Sequence, residues 1–299
     1  MYGYPRPLGG RGDAGAAALD RGNAKQNSRP GGFFSYQDPF SKEVDGLAQT
    51  AASLDLEKLE SEDAVGVLGW AFENFHPSMA ISIAGGSEGL AVLDMAFRLE
   101  PSVRLFTLDT GRLHRETHEL FEQVERRYGI RIERHHPDPG QLKRMEDAFG
   151  ADLMYDGVNF RALCCQIRKI QPMKRALSGL NAYVTGIRRS QTATRADIHK
   201  AEIDAEQGGI VKINPLADWT GEQVKDYVRE HDLPVHPLFS KGYASVGCEP
   251  CTRPIGEGED ERAGRWWWET DAPKECGLHS RPTGALDFEL LEIVGEESG

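Results

Sequence analysis

The sequence lacks any apolar run long enough to cross a membrane, and only 39% of its 299 residues are hydrophobic. Its N-terminus has no apolar core of the kind found in secretion signals, so we expect a cytoplasmic protein in a reducing compartment. Acidic residues outnumber basic ones, with 47 Asp and Glu against 35 Lys and Arg, and the net charge is -12. This balance disfavours broad binding to nucleic acid or to anionic lipid.

Cysteine is scarce, with five residues, but its spacing is informative. Cys164 and Cys165 are adjacent, Cys248 and Cys251 are three apart, and Cys276 stands alone near the C-terminus. A disulfide between neighbours is strained and the total is odd, which argues against a disulfide framework. Four thiolates suit a zinc ion or an iron–sulfur cluster if the fold brings the two pairs together, and the ligands alone do not decide between these two. One thiol is then left for chemistry.

Composition divides the chain into three parts. Residues 1–40 are rich in Gly, Ala, Arg and Pro without apolar periodicity, which predicts a flexible segment. Residues 41–245 have the apolar pattern of a folded domain. Residues 246–299 are expected to form a C-terminal segment that carries the second cysteine pair, Cys276 and an acidic tail.

Short apolar runs bounded by Gly, Pro or charged residues predict five strands, at Met79–Ala84, Val103–Asp109, Ile130–His135, Ala182–Ile187 and Ile210–Leu216. Apolar residues at three- and four-residue intervals predict helices between the strands, at Glu88–Leu99, Arg115–Tyr128 and Leu163–Leu177. A capping residue followed by an acidic first turn predicts one more helix, which starts at Asp218. The alternation predicts an α/β fold with a doubly wound parallel sheet, in which ligands bind beyond the carboxyl ends of the strands.

The first of three loops that follow predicted strands is Ser82–Gly89. Gly85 and Gly86 would let backbone amides approach a phosphate at the start of the next helix, with Ser82 and Ser87 beside them. An ordinary strand-to-helix turn explains the same glycines equally well, and Glu88 would repel an anion unless it points away or caps backbone amides.

The other two loops carry groups that suit an anionic nucleotide. Leu108–Leu113 supplies Asp109, Thr110 and Arg112, although an aspartate bonded to its own backbone in a turn is the simpler alternative. Thr185–Arg195 holds three arginines, whose guanidinium groups form bidentate bonds to phosphate or sulfate, or else belong to a solvated ion-paired face. The three are Arg188, Arg189 and Arg195.

These motifs together resemble the assimilatory sulfonucleotide reductases, in order and over roughly residues 64–279. The resemblance rests on Leu108–Leu113, Cys164–Lys169, Thr185–Arg195, Cys248–Cys251 and Glu275–His279. The cysteine pairs are similar to those of the branch that reduces adenosine 5'-phosphosulfate and holds a [4Fe-4S] cluster; members that use the 3'-phosphorylated nucleotide commonly lack them. The resemblance implies an adenine-nucleotide alpha-hydrolase-like fold with a C-terminal catalytic segment. Ala84 departs from it, because relatives usually have a Ser there.

The resemblance implies a role for each group. Cys276 would attack the sulfur of the substrate and expel AMP, and thioredoxin or a similar dithiol would release sulfite from the resulting S-sulfocysteine, in sulfate assimilation and cysteine biosynthesis. The implied cluster ligands are Cys164, Cys165, Cys248 and Cys251. The implied substrate-binding residues are Ser82, Gly85, Gly86, Ser87, Asp109, Thr110, Arg112, Lys169, Arg188, Arg189, Arg195, Arg262, Arg265 and His279.

Three other functions stay open. A reductase of 3'-phosphoadenylyl sulfate would use the same loops. An iron–sulfur enzyme that thiolates tRNA would need a basic surface, whereas this chain is acidic. A zinc-stabilised binding module would explain four cysteines but not the arginine-rich loop or Cys276.

Overall fold

The computed structural model describes residues 55–269 and 294–295. A six-stranded sheet has the order β3-β2-β1-β4-β6-β5. Its strands are β1 Met79–Ser82, β2 Arg104–Leu108, β3 Glu133–His135, β4 Ala182–Val184, β5 Ala201–Asp204 and β6 Ile210–Ile213. The helices are α1 Ala64–Phe75, α2 Ser87–Leu99, α3 Arg115–Tyr128, α4 Pro139–Phe149, α5 Val158–Cys165, α6 Gln171–Leu177 and α7 Gly221–Glu230.

The strands β3, β2, β1, β4 and β6 run parallel, with Ile81 opposite Leu105 on one side and Val184 on the other. The predicted doubly wound parallel sheet is confirmed, and all five predicted strands are present in shortened form. β5 is an addition that pairs antiparallel with β6 at the edge of the sheet. Its sequence alternates Ala201, Glu202, Ile203 and Asp204, so it has no apolar run that could have indicated a buried strand.

The core lies on both faces of the sheet because the side chains of each strand alternate between them. Met79 and Ile81 pack in one cluster with residues of α1, α2, α3 and α7. Ala80 faces the other way and packs with Phe106 and Tyr183 against α6. Helices therefore cover both faces, and burial of each large apolar side chain contributes about 1.5–3 kcal/mol relative to exposure.

Local signals fix the helix ends. The Asp63 side chain accepts a hydrogen bond from the Gly66 amide at the start of α1, and Gly129 ends α3 in the left-handed conformation. The helix predicted from Asp218 begins instead after Thr220, which forms a capping box with Gln223. No helix in the described part of the chain has the length and apolar character needed to span a bilayer.

Candidate active site

A cleft of about 250 Å³ opens at the carboxyl ends of β1, β2 and β4. The strand order reverses between β1 and β4, and open α/β sheets bind ligands in the crevice outside such a point. The loops after these three strands form part of its wall, and the chain between Phe239 and Arg265 forms the rest. Among the residues that line it are several predicted substrate-binding residues, namely Ser82, Gly86, Thr110, Lys169, Arg195, Arg262 and Arg265.

Glycines stand where the first loop approaches other segments. Gly85 has a φ of 80°, which favours glycine, and a Cβ atom there would lie 3.4 Å from Cδ2 of His236. Gly86 is the residue before α2 and lines the cleft. A Cβ atom on Gly186, in the loop after β4, would lie 2.8 Å from backbone atoms of Glu88. These glycines let two loops and the start of α2 meet at the cleft.

Two of the three predicted arginines form ion pairs with carboxylates. Arg188 is buried and donates from Nε and Nη2 to Oε1 of Glu88, at 3.0 and 2.8 Å. Arg189 donates from Nη2 to Oε2 of Glu60 at 2.5 Å. Neither guanidinium belongs to the wall of the cleft, whereas Arg195 does. Glu88 thus points at Arg188, which removes the repulsion that its position in the loop suggested.

Four further predicted contacts, Gly85 among them, lie outside the wall of the cleft. Asp109 accepts a hydrogen bond from the amide of Gly111 at 3.0 Å, as in the simple turn. Arg112 forms an ion pair with Asp152 at 2.6 Å and lines a neighbouring cavity instead. Ser87 is the first residue of α2 and does not line the cleft. The predicted residues Cys276 and His279 lie outside the described residues.

The neighbouring cavity brings the two cysteine pairs together. All four cysteines are buried, none of them forms a disulfide, and all line this cavity. Lys169 and Cys248 belong to the walls of both the cavity and the cleft. The remaining lining residues are Arg112, Met154, Arg161, Arg168 and Pro250. The cavity that the four thiols line therefore adjoins the cleft.

The helix predicted over Leu163–Leu177 is interrupted beside the first cysteine pair. α5 ends at Cys165, a π-helical turn follows over Gln166–Ile170, and α6 continues from there. A π-turn is wider than an α-helical turn and changes which side chains share a face. Arg168 and Lys169, both on this turn, line the same cavity as the cysteines just before them.

Electrostatics distinguishes the cysteines. Burial acts to raise the pKa of Cys248, but Lys169 and a hydrogen bond from Thr110 outweigh it, and the pKa is lowered. Burial raises the pKa of Cys251 to about 12, and it also raises the pKa of Cys164. Cys248 is therefore the thiol of these three that its surroundings favour as a thiolate.

No three Cys, His, Asp or Glu side chains of the described residues gather closely enough to hold one metal ion. A zinc ion with Zn–S bonds of about 2.3 Å requires such a close group. An iron–sulfur cluster contains several metal ions, each bound by one thiolate, and so takes thiols that are spread around a cavity. Four buried thiols around one cavity are a donor set that such a cluster uses.

Some residues of the site were not identified from the sequence. Gln191 donates to Oε1 of Glu88 at 3.0 Å and lines the cleft. Glu261 also lines the cleft, and burial together with the nearby charge of Glu88 raises its pKa. Glu88 and Arg188 are 100 positions apart, so no local pattern indicates the contact between them.

Residues 78–254 match the family model described as the phosphoadenosine phosphosulfate reductase domain. The chain belongs to this family of sulfonucleotide reductases and is an oxidoreductase. It is 49% identical over 204 residues to the adenosine 5'-phosphosulfate reductase of Allochromatium vinosum, covering 68% of this chain and 79% of that protein. It is 40% identical over 269 residues to the enzyme of that name from Pseudomonas aeruginosa, covering 88% and 94%. The resemblance inferred from the motifs is confirmed.

A solved relative has the same fold. The crystal structure of phosphoadenylyl-sulfate reductase from Candida auris, in a phosphate complex, superimposes with a TM-score of 0.56 at 30% identity. The match covers 71% of this chain and 97% of the Candida auris chain.

Proposed function

We propose that this protein reduces adenosine 5'-phosphosulfate to sulfite and AMP, with electrons from a dithiol such as thioredoxin, in the cytoplasmic assimilation of sulfate. The observation that carries the proposal is the burial of the Arg265 charge at the wall of the cleft. The Arg265 side chain is buried at the wall of the cleft and donates weakly to Ser245 Oγ and the Val246 carbonyl, at 3.3 and 3.4 Å. Among the described residues it forms no ion pair. A buried cation without a counter-charge costs several kcal/mol, which an anionic ligand offsets.

Lys169 supports the same ligand. It lines the cleft and the cysteine cavity together, so its charge acts on both. A phosphosulfate placed between Lys169 and Arg265 would have its leaving AMP stabilised as negative charge develops on it. Ser82, Gly86, Thr110, Arg195 and Arg262 complete the set of substrate contacts that we propose within the cleft.

We assign Cys164, Cys165, Cys248 and Cys251 as the ligands of a 4Fe-4S cluster. They are buried, they line one cavity, and the cations Arg112, Arg168 and Lys169 line it with them. When bound, the cluster supplies negative charge and structural support beside the cleft rather than electrons, because attack by a thiol needs no one-electron donor. The positive charges of this chain then stabilise the thiolates and orient the substrate.

The chemistry that we propose uses Cys276, on the sequence grounds given above. Its thiolate attacks the sulfur of the substrate, so that an S–S bond forms, the bond from sulfur to the phosphate oxygen breaks, and AMP leaves. A thiolate of the reductant then attacks Cys276 Sγ and releases sulfite, which keeps the electron pair of the S–S bond. The second thiol of the reductant closes a disulfide and frees Cys276, so that the dithiol supplies both electrons.

Substrate choice separates the proposal from its alternative, reduction of the 3'-phosphorylated nucleotide. Two arginines of the third loop, Arg188 and Arg189, are already engaged by Glu88 and Glu60 and offer no charge to a 3'-phosphate. We therefore expect kcat/KM to be at least about tenfold higher for adenosine 5'-phosphosulfate. Equal values for the two nucleotides, or the reverse order, would favour the alternative that the Candida auris relative represents.

The covalent step is tested with enzyme and substrate in the absence of any reductant. One sulfo group is expected on the peptide that contains Cys276, with one equivalent of AMP released. Cys276→Ser is expected to bind substrate and keep its iron but to form no adduct, because a serine hydroxyl is a much poorer nucleophile toward sulfur. A sulfo group on another peptide, or normal sulfite production by Cys276→Ser, contradicts the mechanism.

A further inference from the structure

Trp266 lies between the two sites, and two guanidinium groups stack on it. Its side chain is completely buried. The Cζ atoms of Arg161 and Arg265 lie over its ring, 4.7 and 4.8 Å from the ring centroid. Arg161 lines the cysteine cavity and Arg265 lines the cleft. One indole ring therefore contacts a cation from each site.

The backbone of Trp266 is held in an unusual conformation. Its φ is 42°, in the left-handed region that side chains as large as an indole rarely adopt. Three backbone hydrogen bonds hold this conformation. The Trp266 amide donates to the Cys251 carbonyl at 3.2 Å, the Glu269 amide donates to the Trp266 carbonyl, and the Arg265 amide donates to the Arg262 carbonyl. Strained backbone of this kind persists where the surrounding structure imposes it and concentrates at functional sites.

The two arginines on the ring differ in their counter-charges. Arg161 donates from Nε to Oε1 of Glu269 at 2.6 Å in a buried ion pair. Arg265 forms no ion pair with any described residue, and its Nε is buried without a partner among them. The charge of Arg265 also acts on the buried thiols of Cys248 and Cys251, and stacking on the face of Trp266 is one contact that fixes its guanidinium. An aromatic face attracts a guanidinium without adding a negative charge to the site.

We propose that Trp266 is a positioning residue that holds Arg265 at the wall of the cleft without neutralising it, and so keeps that positive charge for the phosphosulfate group of the substrate. A carboxylate in the same place would fix the guanidinium equally well but would compete with the anionic substrate. Gly247 supports this geometry, because a Cβ atom there would overlap the Arg265 guanidinium. The assignment rests on the proposed function and adds a residue to it.

The test measures the binding of adenosine 5'-phosphosulfate by calorimetry in the Cys276→Ser background, where no turnover occurs. Trp266→Leu, which removes the ring and keeps an apolar side chain, is expected to raise Kd about tenfold. Trp266→Phe, which keeps a smaller ring, is expected to raise Kd by about threefold. Trp70→Leu is the matched control, because this partly buried tryptophan packs against the core away from the cleft and should leave Kd unchanged.

A double-mutant cycle separates positioning from a general loss of structure. In an Arg265→Ala background, Trp266→Leu is expected to have no further effect on Kd, because the group that it positions is gone. An equal loss in both backgrounds overturns the assignment. If Trp266→Leu does not fold, the cycle with Trp266→Phe gives the same decision.

Whether the Cys276→Ser parent binds the nucleotide distinguishes the assignment of Trp266 from the proposed function. No binding of the nucleotide to the Cys276→Ser parent overturns the proposed function and the assignment with it. Binding to the parent that Trp266→Leu leaves unchanged overturns the assignment alone.

Discussion

The hydroxyl of Thr110 lies 3.2 Å from Sγ of Cys248, which joins the loop after β2 to the second cysteine pair. Two backbone contacts accompany it: a β-bridge between Leu113 and Cys248, and a hydrogen bond of 2.8 Å from the Glu249 amide to the Arg112 carbonyl. The loop that lines the cleft and the chain that carries the cysteines are therefore one connected unit. A substitution at Thr110 should therefore affect both the cleft and the second cysteine pair.

Replacing Thr110 with Val removes this hydroxyl while nearly preserving the shape of the side chain. The hydroxyl also accepts from the Arg112 amide at 3.2 Å, so one buried and one partly buried hydrogen bond are lost. We expect the free energy of unfolding to fall by about 1–2 kcal/mol and iron to be released faster to a chelator. Urea unfolding and the iron content over time measure these effects. Thr110→Ser keeps the hydroxyl and should behave like the parent; equal iron loss in both variants would show that the hydrogen bond is unimportant.

Gly186→Ala tests the close packing between the loop after β4 and the start of α2. The added Cβ atom would lie 2.8 Å from the Glu88 carbonyl carbon and from the Gly89 nitrogen, and backbone atoms at such a distance must move. We expect a loss of about 1–3 kcal/mol in the free energy of unfolding and a higher KM, because the Gly85-Gly86 loop is displaced with α2.

Gly69→Ala is the control for this substitution. Gly69 lies within α1, and nothing comes within 4 Å of an added Cβ atom there. This substitution should stabilise the protein by up to about 1 kcal/mol through helix propensity alone. If Gly186→Ala is as stable as the parent, the two backbones are less tightly packed than the structure indicates.

The fold was predictable where burial leaves a pattern in the sequence. β1, β2, β4 and β6 are apolar runs because helices cover both faces of the sheet. β5 was missed because Glu202 and Asp204 interrupt its apolar residues at the sheet edge. The π-turn over Gln166–Ile170 was also missed, since apolar spacing gives the helical face but not a local widening of the helix.

The family resemblance, rather than residue type alone, indicated which cations gather at the site, and their contacts with substrate stay a prediction. Lys169, Arg195, Arg262 and Arg265 line the cleft, as the motifs led us to expect of substrate contacts. Arg188 has the same residue type and lies in the same loop as Arg195, but it faces Glu88. Which cation is neutralised depends on tertiary contacts between segments far apart in the sequence, and no spacing within a loop contains that information.

His236 predicts how stability depends on pH. Its Nδ1 accepts from the Leu238 amide at 3.2 Å, so Nε2 carries the proton shared with Thr117 Oγ1 at 2.9 Å, and the ring must be neutral. Burial lowers its pKa from 6.5 to about 4, and the charge of His114 acts in the same direction. Between these two pH values the unfolded chain binds a proton that the folded chain does not. This contribution to stability is therefore complete above pH 6.5 and is lost as the pH falls to about 4.

The comparison of His236→Asn with the parent isolates this contribution. Asparagine can still accept from the Leu238 amide but does not titrate, so the variant should be less stable at neutral pH and lose less stability on acidification. Thermal midpoints measured from pH 7 to pH 4 provide the slopes. His199→Asn serves as a control, because the His199 side chain is 66% exposed. Parallel slopes for the parent and His236→Asn would contradict the prediction.

The last prediction concerns the cluster ligands. Cys165 is buried and lines the cavity with the other three cysteines, so its loss would leave one iron of the proposed cluster without a thiolate. Cys165→Ser is expected to lower bound iron and sulfide several-fold and to lower activity in parallel, because the positively charged wall shared with the cleft loses its counter-charge. Cys276→Ser provides the contrast, since it should retain full iron and visible absorption while losing activity completely. Full iron with normal turnover in Cys165→Ser would remove this residue from the ligand set, and bound zinc without iron in the parent would overturn the cluster assignment itself.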